Sequence, residues 1–253
     1  MNPGGQALVI GATGSVGGAV LRRLRKEGLT VVAVARSAET LQALSAADPG
    51  VIACPADIGA EDCGERIASS CGEVGRPVRV VVQAAGLPAS GPLWEVNPAA
   101  LGTLVSLKLG GLLRAVRAVD PLLQAGSRII AIGGHYGSEP SPRTCGAGVT
   151  NAALANLVRQ LADHYGPRGV TAHLIAPGPL DTERLRRIAA AEAETRDLGI
   201  ECVLDEYRRH SPLGRLTEVA EVAWAIAVLL APEAAALHGA TLALDSGARH
   251  GLF

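Results

Sequence analysis

Short aliphatic runs alternate with longer amphipathic stretches along the whole chain. Residues 7–10, 30–35, 51–53, 78–83, 127–132, 170–175 and 241–244 are blocks of Val, Ile, Leu and Ala of strand length. They show no inward–outward alternation, as expected of strands covered on both faces. Between them lie stretches with helical spacing. Residues 16–27 are amphipathic and closed by Gly28, and residues 38–46 form a polar-flanked helix. Residues 101–119 and 152–162 are apolar on more than one side. Strands alternating with helices imply βαβ units, a mostly parallel sheet and right-handed crossovers that place helices on both faces. The pattern predicts one doubly wound α/β domain spanning residues 1–253. Residues 182–210, polar and charged between apolar blocks, read as a partly helical lid over the site.

The turns that follow the strands carry the candidate chemistry. Gly11-Ala12-Thr13-Gly14-Ser15-Val16-Gly17-Gly18 closes the first strand and opens the first helix. One glycine allows the tight turn, another lets the backbone approach a diphosphate, and a third lets helix and strand pack closely. The first helix then turns free N–H groups and its positive dipole end toward that anion. The reading is a Rossmann-type dinucleotide site. The second strand runs into Arg36 and Ser37, with no acid before Glu39. An acid there suits a ribose 2′-hydroxyl and an arginine a 2′-phosphate, so the cofactor expected is NADP(H). Proline- and glycine-rich turns at residues 86–92, 140–142 and 177–179 fall at the same sheet edge, where open α/β sheets bind ligands.

Composition narrows the partners. Aromatics make up 2% of a chain that is 48% hydrophobic, so the core must be aliphatic and stacking surfaces few. The net charge of −1, without a basic stripe, offers nothing to nucleic acid. Arg22, Arg23, Arg25 and Lys26 read as a solvated helix face. No leader is expected from residues 1–6, and no run reaches the roughly 18 uninterrupted apolar residues of a membrane span. Five cysteines without a CxxC pair fit reduced thiols in a cytoplasmic protein, rather than a disulfide framework or a metal site. Lysine occurs only at Lys26 and Lys108, although Lys and Arg together number 23.

With these motifs in view, the chain resembles the short-chain dehydrogenase/reductase superfamily nearly end to end. The resemblance rests on the glycine loop and on Asp57 and Ile58 in "PADI". It continues through Gln83-Ala84-Ala85-Gly86 in place of NNAG, Pro177, Gly178 and Thr182 in "APGPLDT", and the closing "GATLALDSG". It implies that Gly11, Thr13, Gly14, Ser15, Val16, Gly17, Arg36, Ser37, Asp57, Ile58, Ala84, Ala85, Gly86, Pro177, Gly178 and Thr182 surround the cofactor. It also implies a small carbonyl or alcohol substrate and a homodimer or homotetramer, built on the 101–119 and 152–162 helices.

The family's four catalytic positions are all changed. Gly134 stands where the serine is expected, Ala147 at the tyrosine, Asn151 at the lysine and Lys108 at the asparagine. Lysine and asparagine have thus traded places. Two readings stay open at this point. Either the exchange keeps an ammonium and an amide in the site, or Lys108 snorkels to solvent and Asn151 is a first-turn helix residue. His135 and Tyr136, after the central strand, are candidate proton donors, Thr144 and Cys145 lesser ones, and Ser90 a substrate contact. His164, His173, His210, His238 and His250 read as structural or surface residues. The expected activity is NADP(H)-dependent interconversion of a ketone and a secondary alcohol at an atypical site. A non-redox dehydratase, isomerase or cyclase, and a silent cofactor-binding subunit or sensor, are the alternatives.

Overall fold

The computed structural model describes residues 4–88 and 91–251, and the path of the chain follows the hydrophobic pattern. Seven strands form one sheet: β1 (Gln6–Ile10), β2 (Thr30–Ala35), β3 (Val51–Pro55), β4 (Val78–Gln83), β5 (Leu123–Ile132), β6 (Thr171–Pro177) and β7 (Thr241–Leu244). The order is β3-β2-β1-β4-β5-β6-β7 and every pairing is parallel. Strand order reverses between β1 and β4, and a cleft opens at their carboxyl ends, where crossovers diverge to opposite faces. In register, Ile10 faces Val34 on one side and Gln83 on the other. The turns after β1, β2 and β4 therefore meet at one edge.

Helices cover both faces because both faces are aliphatic. On one side α3 (Cys63–Val74), α5 (Gly111–Val119) and α6 (Cys145–Tyr165) bury Ile67, Leu112, Val116, Leu154 and Val158 against the sheet. On the other, α1 (Ser15–Lys26), α2 (Ala38–Ala47) and α9 (Val219–Val228) bury Val20, Leu24, Leu41 and Ile226. Burying a side chain of this size stabilises by about 1.5–3 kcal/mol. β5 starts four residues earlier than the apolar run, because Ser127 holds its polar beginning in place. The Ser127 hydroxyl donates to the Val78 carbonyl at 2.6 Å and accepts from the Gln124 N–H at 3.0 Å.

The 101–119 region is a helix with a defect. α4 (Pro98–Val105) passes into a π-helical turn at Ser106–Gly110 and then into α5. A π turn holds more residues than an α turn, so it shifts the phase of every residue after it. That phase shift blurs the apolar periodicity of the sequence. The stretch Pro98–Leu122 is long and apolar enough to cross a membrane by length and composition, with a mean hydropathy of 1.4 in its most apolar window. Its Leu112, Ala115, Val116 and Val119 belong to the core beneath the sheet.

Residues 182–210 form two helices, α7 (Glu183–Arg196) and α8 (Ile200–Arg209). They share a small apolar cluster of Leu185, Ala189, Ala193, Val203, Leu204 and Leu216. An ion-pair network bridges them through Arg196, which meets Glu192 at 2.9 Å and Glu206 at 2.7 Å.

Candidate active site

The cleft at the switch point has a volume of about 1020 Å³. At one end the glycine loop is held by contacts that exclude side chains. Gly11 has φ +80°, and a Cβ on it would lie 2.7 Å from the Ala85 nitrogen. A Cβ on Gly17 would run into the Gly11 carbonyl oxygen, so Gly17 serves close helix–strand packing. Helix α1 has no acid in its first turn and no side-chain cap. Its Ser15, Val16 and Gly17 N–H groups meet no acceptor among the described residues. Uncapped donors at a helix end that opens on a cleft are free to meet an anion or water. This end of the cleft fits the diphosphate of a dinucleotide.

The remaining residues expected at the cofactor divide in two. Thr13, Gly14, Ser15, Val16, Arg36, Asp57, Ile58, Ala84, Ala85, Gly86, Pro177, Gly178 and Thr182 line the cleft together with Gly11. Arg36 is exposed and makes no ion pair or side-chain hydrogen bond among the described residues. Ser37 departs from expectation. It is outside the cleft lining, and its hydroxyl caps α2, accepting from the Thr40 N–H at 3.3 Å. Asp57 accepts from the Gly59 N–H at 2.9 Å and Thr182 caps α7 through the Leu185 N–H at 3.3 Å.

Lys108 and Asn151, expected from the sequence to have traded places, sit at the other end. Lys108 lies in the π turn, is only 5% exposed and points its Nζ at the Ala85 carbonyl oxygen, 3.0 Å away. It does not snorkel. Gln83 fixes this corner, accepting from the Ala85 N–H at 3.2 Å while its Nε2 reaches toward the Lys108 carbonyl at 3.5 Å. Burial pushes the Lys108 ammonium down to about 8, and the Arg184 guanidinium adds to the shift. No carboxylate pairs with it among the described residues.

Asn151, 7% exposed, packs on the turn after β5. Its Nδ2 lies 3.0 Å from the place a Cβ would take on Gly134, and its Cβ lies 3.0 Å from the corresponding place on Gly137. A side chain at 134 would come into close contact with the Asn151 amide. Asn151 and Lys108 line the same cleft from helices that pack together, yet no hydrogen bond joins them among the described residues.

His135 and Tyr136 also line the cleft, with ring centroids 4.0 Å apart. Burial lowers His135, which keeps the imidazole neutral at pH 7. Burial raises Tyr136, and Glu192 adds to it, so the phenol keeps its proton. Ala147 presents a methyl where the family resemblance expects the tyrosine, and Thr144 lies beside it on the wall. The Thr144 hydroxyl is buried without a partner among the described residues. Cys145 begins α6 outside the lining, and Ser90 is outside the described residues.

Sequence reasoning expected the lid but named only Thr182 within it. Arg184, Arg187 and Tyr207 line the cleft, with the Tyr207 hydroxyl donating to Glu192 at 3.3 Å. Arg184 follows Thr182 closely in sequence, which is the one signal that could have found it. Of the histidines set aside, His173 is fully buried between the Thr171 hydroxyl at 2.7 Å and the Leu237 carbonyl at 3.0 Å. Burial pushes it down to about 4, so its part is structural.

A family model described as enoyl-(acyl carrier protein) reductase matches residues 11–249. The chain is a short-chain dehydrogenase/reductase. The short-chain reductase protein NovJ of Streptomyces niveus is 30% identical over 254 residues, covering 95% of this chain and 92% of NovJ. The 3-oxoacyl-(acyl-carrier-protein) reductase FabG of Escherichia coli is 28% identical over 250 residues, covering 95% and 96%. Among solved structures, a short-chain oxidoreductase from Pseudomonas aeruginosa PAO1 is 26% identical, with TM-score 0.86 over 98% of this chain and 97% of that one. That protein is described as NADPH-bound and as containing an atypical catalytic center. An actinorhodin polyketide ketoreductase agrees in fold, with TM-score 0.89 at 24% identity over 99% of both chains. Short-chain dehydrogenases/reductases are oxidoreductases that bind a nicotinamide cofactor and small-molecule substrates, and they are typically oligomeric.

Proposed function

We propose that this short-chain dehydrogenase/reductase is an NADP(H)-dependent oxidoreductase that interconverts a ketone and a secondary alcohol, with Lys108 stabilising the oxyanion and Tyr136 supplying the proton. The observation that carries the reading is a buried ammonium, without a carboxylate partner among the described residues, on the wall of the cofactor cleft. A buried cation without a counter-ion is costly, and such groups concentrate at functional sites. The protein forms one domain, with residues 182–210 as its lid.

When bound, NADPH would donate a hydride to the carbonyl carbon and leave as NADP⁺, while the carbonyl oxygen takes the bond's electron pair and then a proton. The chain's residues do the rest. The Ser15–Gly17 N–H groups receive the diphosphate, and Arg36 the 2′-phosphate. Lys108 stabilises the developing oxyanion in a low-dielectric wall, where a fixed charge acts most strongly. Tyr136, which keeps its proton at neutral pH, supplies that proton directly or through water, with His135 against its ring. Asn151 orients that water or the substrate. Absence of the ordinary acid is tolerable because general acid catalysis contributes only about 10²–10⁴-fold.

The test is a panel of ketones and secondary alcohols with NADPH or NADP⁺, followed at the nicotinamide absorbance with product analysis. Reduction or oxidation of panel members supports the reading. A product of unchanged oxidation state would identify a non-redox enzyme. Tight NADPH binding without turnover anywhere would identify a silent subunit or sensor.

A further inference from the structure

Two cations reach one turn of the cleft from opposite sides. Lys108 approaches from the π turn and donates to the Ala85 carbonyl at 3.0 Å. Arg184 approaches from the first turn of α7, its Nη1 3.1 Å from where a Cβ on Gly86 would sit. Arg184 makes no ion pair among the described residues, whereas Arg186 on the same helix meets Asp181 at 3.2 Å. The carboxylates on the cleft wall are Asp57, occupied by the Gly59 N–H, and Glu183, which forms no ion pair among the described residues. Arg184 also stands at the positive end of the α7 dipole, where a cation is disfavoured. Neither Lys108 nor Arg184 has an ion-pair partner among the described residues. The cofactor's phosphates have their own receivers in the Ser15–Gly17 N–H groups and Arg36.

We propose that Arg184 receives the carboxylate of an oxo-acid substrate while Lys108 faces its carbonyl oxygen, so that the natural substrate is an anionic ketone rather than a neutral one. This rests on the oxidoreductase reading above. It assigns each cation one oxyanion: Arg184 a permanent one, which a planar guanidinium matches with two parallel hydrogen bonds, and Lys108 one that develops during reaction.

The probes are acetoacetate, 4-oxopentanoate and 5-oxohexanoate, each beside its methyl ester. Two readouts are taken: kcat/KM with NADPH, and calorimetric binding to the NADP⁺-loaded protein. The acid is expected to exceed its ester by about 10-fold or more in both readouts, the factor a charged hydrogen bond provides. Arg184→Met should collapse that ratio to about unity, and Arg184→Lys should restore part of it, since an ammonium keeps the charge without the fork. Acids and esters that bind alike in the wild type would overturn the inference. It is equally overturned if Arg184→Met weakens NADPH while preserving the acid-to-ester ratio, because the arginine then serves the cofactor diphosphate. Arginine-dependent acid binding without turnover would uphold the anion site and sink the redox reading. Reduction of esters with exclusion of acids would do the reverse.

Discussion

Replacing Lys108 by Met should make the protein more stable and the enzyme worse. Methionine keeps the length and apolar packing of the lysine stem and removes the charge. Burial lowers the lysine from its ordinary 10.5 to about 8, and at 1.36 kcal/mol per pH unit the folded protein carries a penalty of about 3 kcal/mol for holding the ammonium. Losing the bond to the Ala85 carbonyl returns about 1 kcal/mol of that. The net gain is about 2 kcal/mol, and for a chain of this size Tm should rise by about 4–8 °C. The sign follows from the depressed pKa. Below about 8 both folded and unfolded chains are charged at this lysine and the penalty is whole. As pH climbs from there toward 10.5, only the unfolded chain holds the proton, and the penalty shrinks to nothing. Calorimetric scans of wild type and variant across that window should show the Tm gap closing. Turnover should meanwhile fall by about 10²-fold with NADPH affinity nearly unchanged, since loss of an interaction made in the transition state lowers kcat and kcat/KM together. A variant no more stable than wild type at pH 7, or a Tm gap indifferent to pH, would refute the idea of a desolvated ammonium.

Other outcomes follow from the same geometry. Wild type should prefer NADPH to NADH, and Arg36→Ala should erase about 1.5–3 kcal/mol of that preference; equal dissociation constants in the wild type would end the case for a 2′-phosphate site. Because Lys108 and Asn151 are proposed to act on one reacting group, Lys108→Met/Asn151→Ala should turn over barely more slowly than Lys108→Met alone, and strict additivity would show that the amide acts elsewhere. Gly134→Ser should be less well tolerated in the wild type than beside Asn151→Ala, because its Cβ would lie 3.0 Å from the Asn151 amide nitrogen; urea titrations of the two single variants and the double variant measure the coupling. Leu101, Val105, Leu113 and Leu157 remain only partly buried along α4 to α6, so light scattering should find a homodimer or homotetramer, and a monomer at micromolar concentration would count against it.

Much of the architecture is written in one-dimensional periodicity. The Val-rich blocks at residues 30–35 and 78–83 became strands with those same bounds, because strands covered on both faces must be apolar throughout. The glycine loop was equally legible, since a positive φ at Gly11 and a close approach at Gly17 admit no other residue. The resemblance also singled out Gly134, Ala147, Asn151 and Lys108 from local text alone.

What those positions do was beyond local text. Whether Lys108 snorkels or turns inward depends on the π turn at Ser106–Gly110, and on Gln83, which links the Ala85 N–H to the Lys108 carbonyl. That turn blurred the very periodicity from which the lysine's face would have been read. Ser37, expected beside Arg36 at the cofactor, lies outside the cleft lining and caps α2 with its hydroxyl, a role set by where that helix begins. Gly134 and Asn151 are far apart in sequence, and only the tertiary structure brings them into contact. The placement of Arg184 over Gly86 depends on how α7 lies on the cleft. By itself the sequence determined the sheet and the glycine turn after its first strand, because those depend on neighbours along the chain. Tertiary structure decided which of the remaining polar groups face one another, because burial and charge are properties of the space between elements distant in sequence.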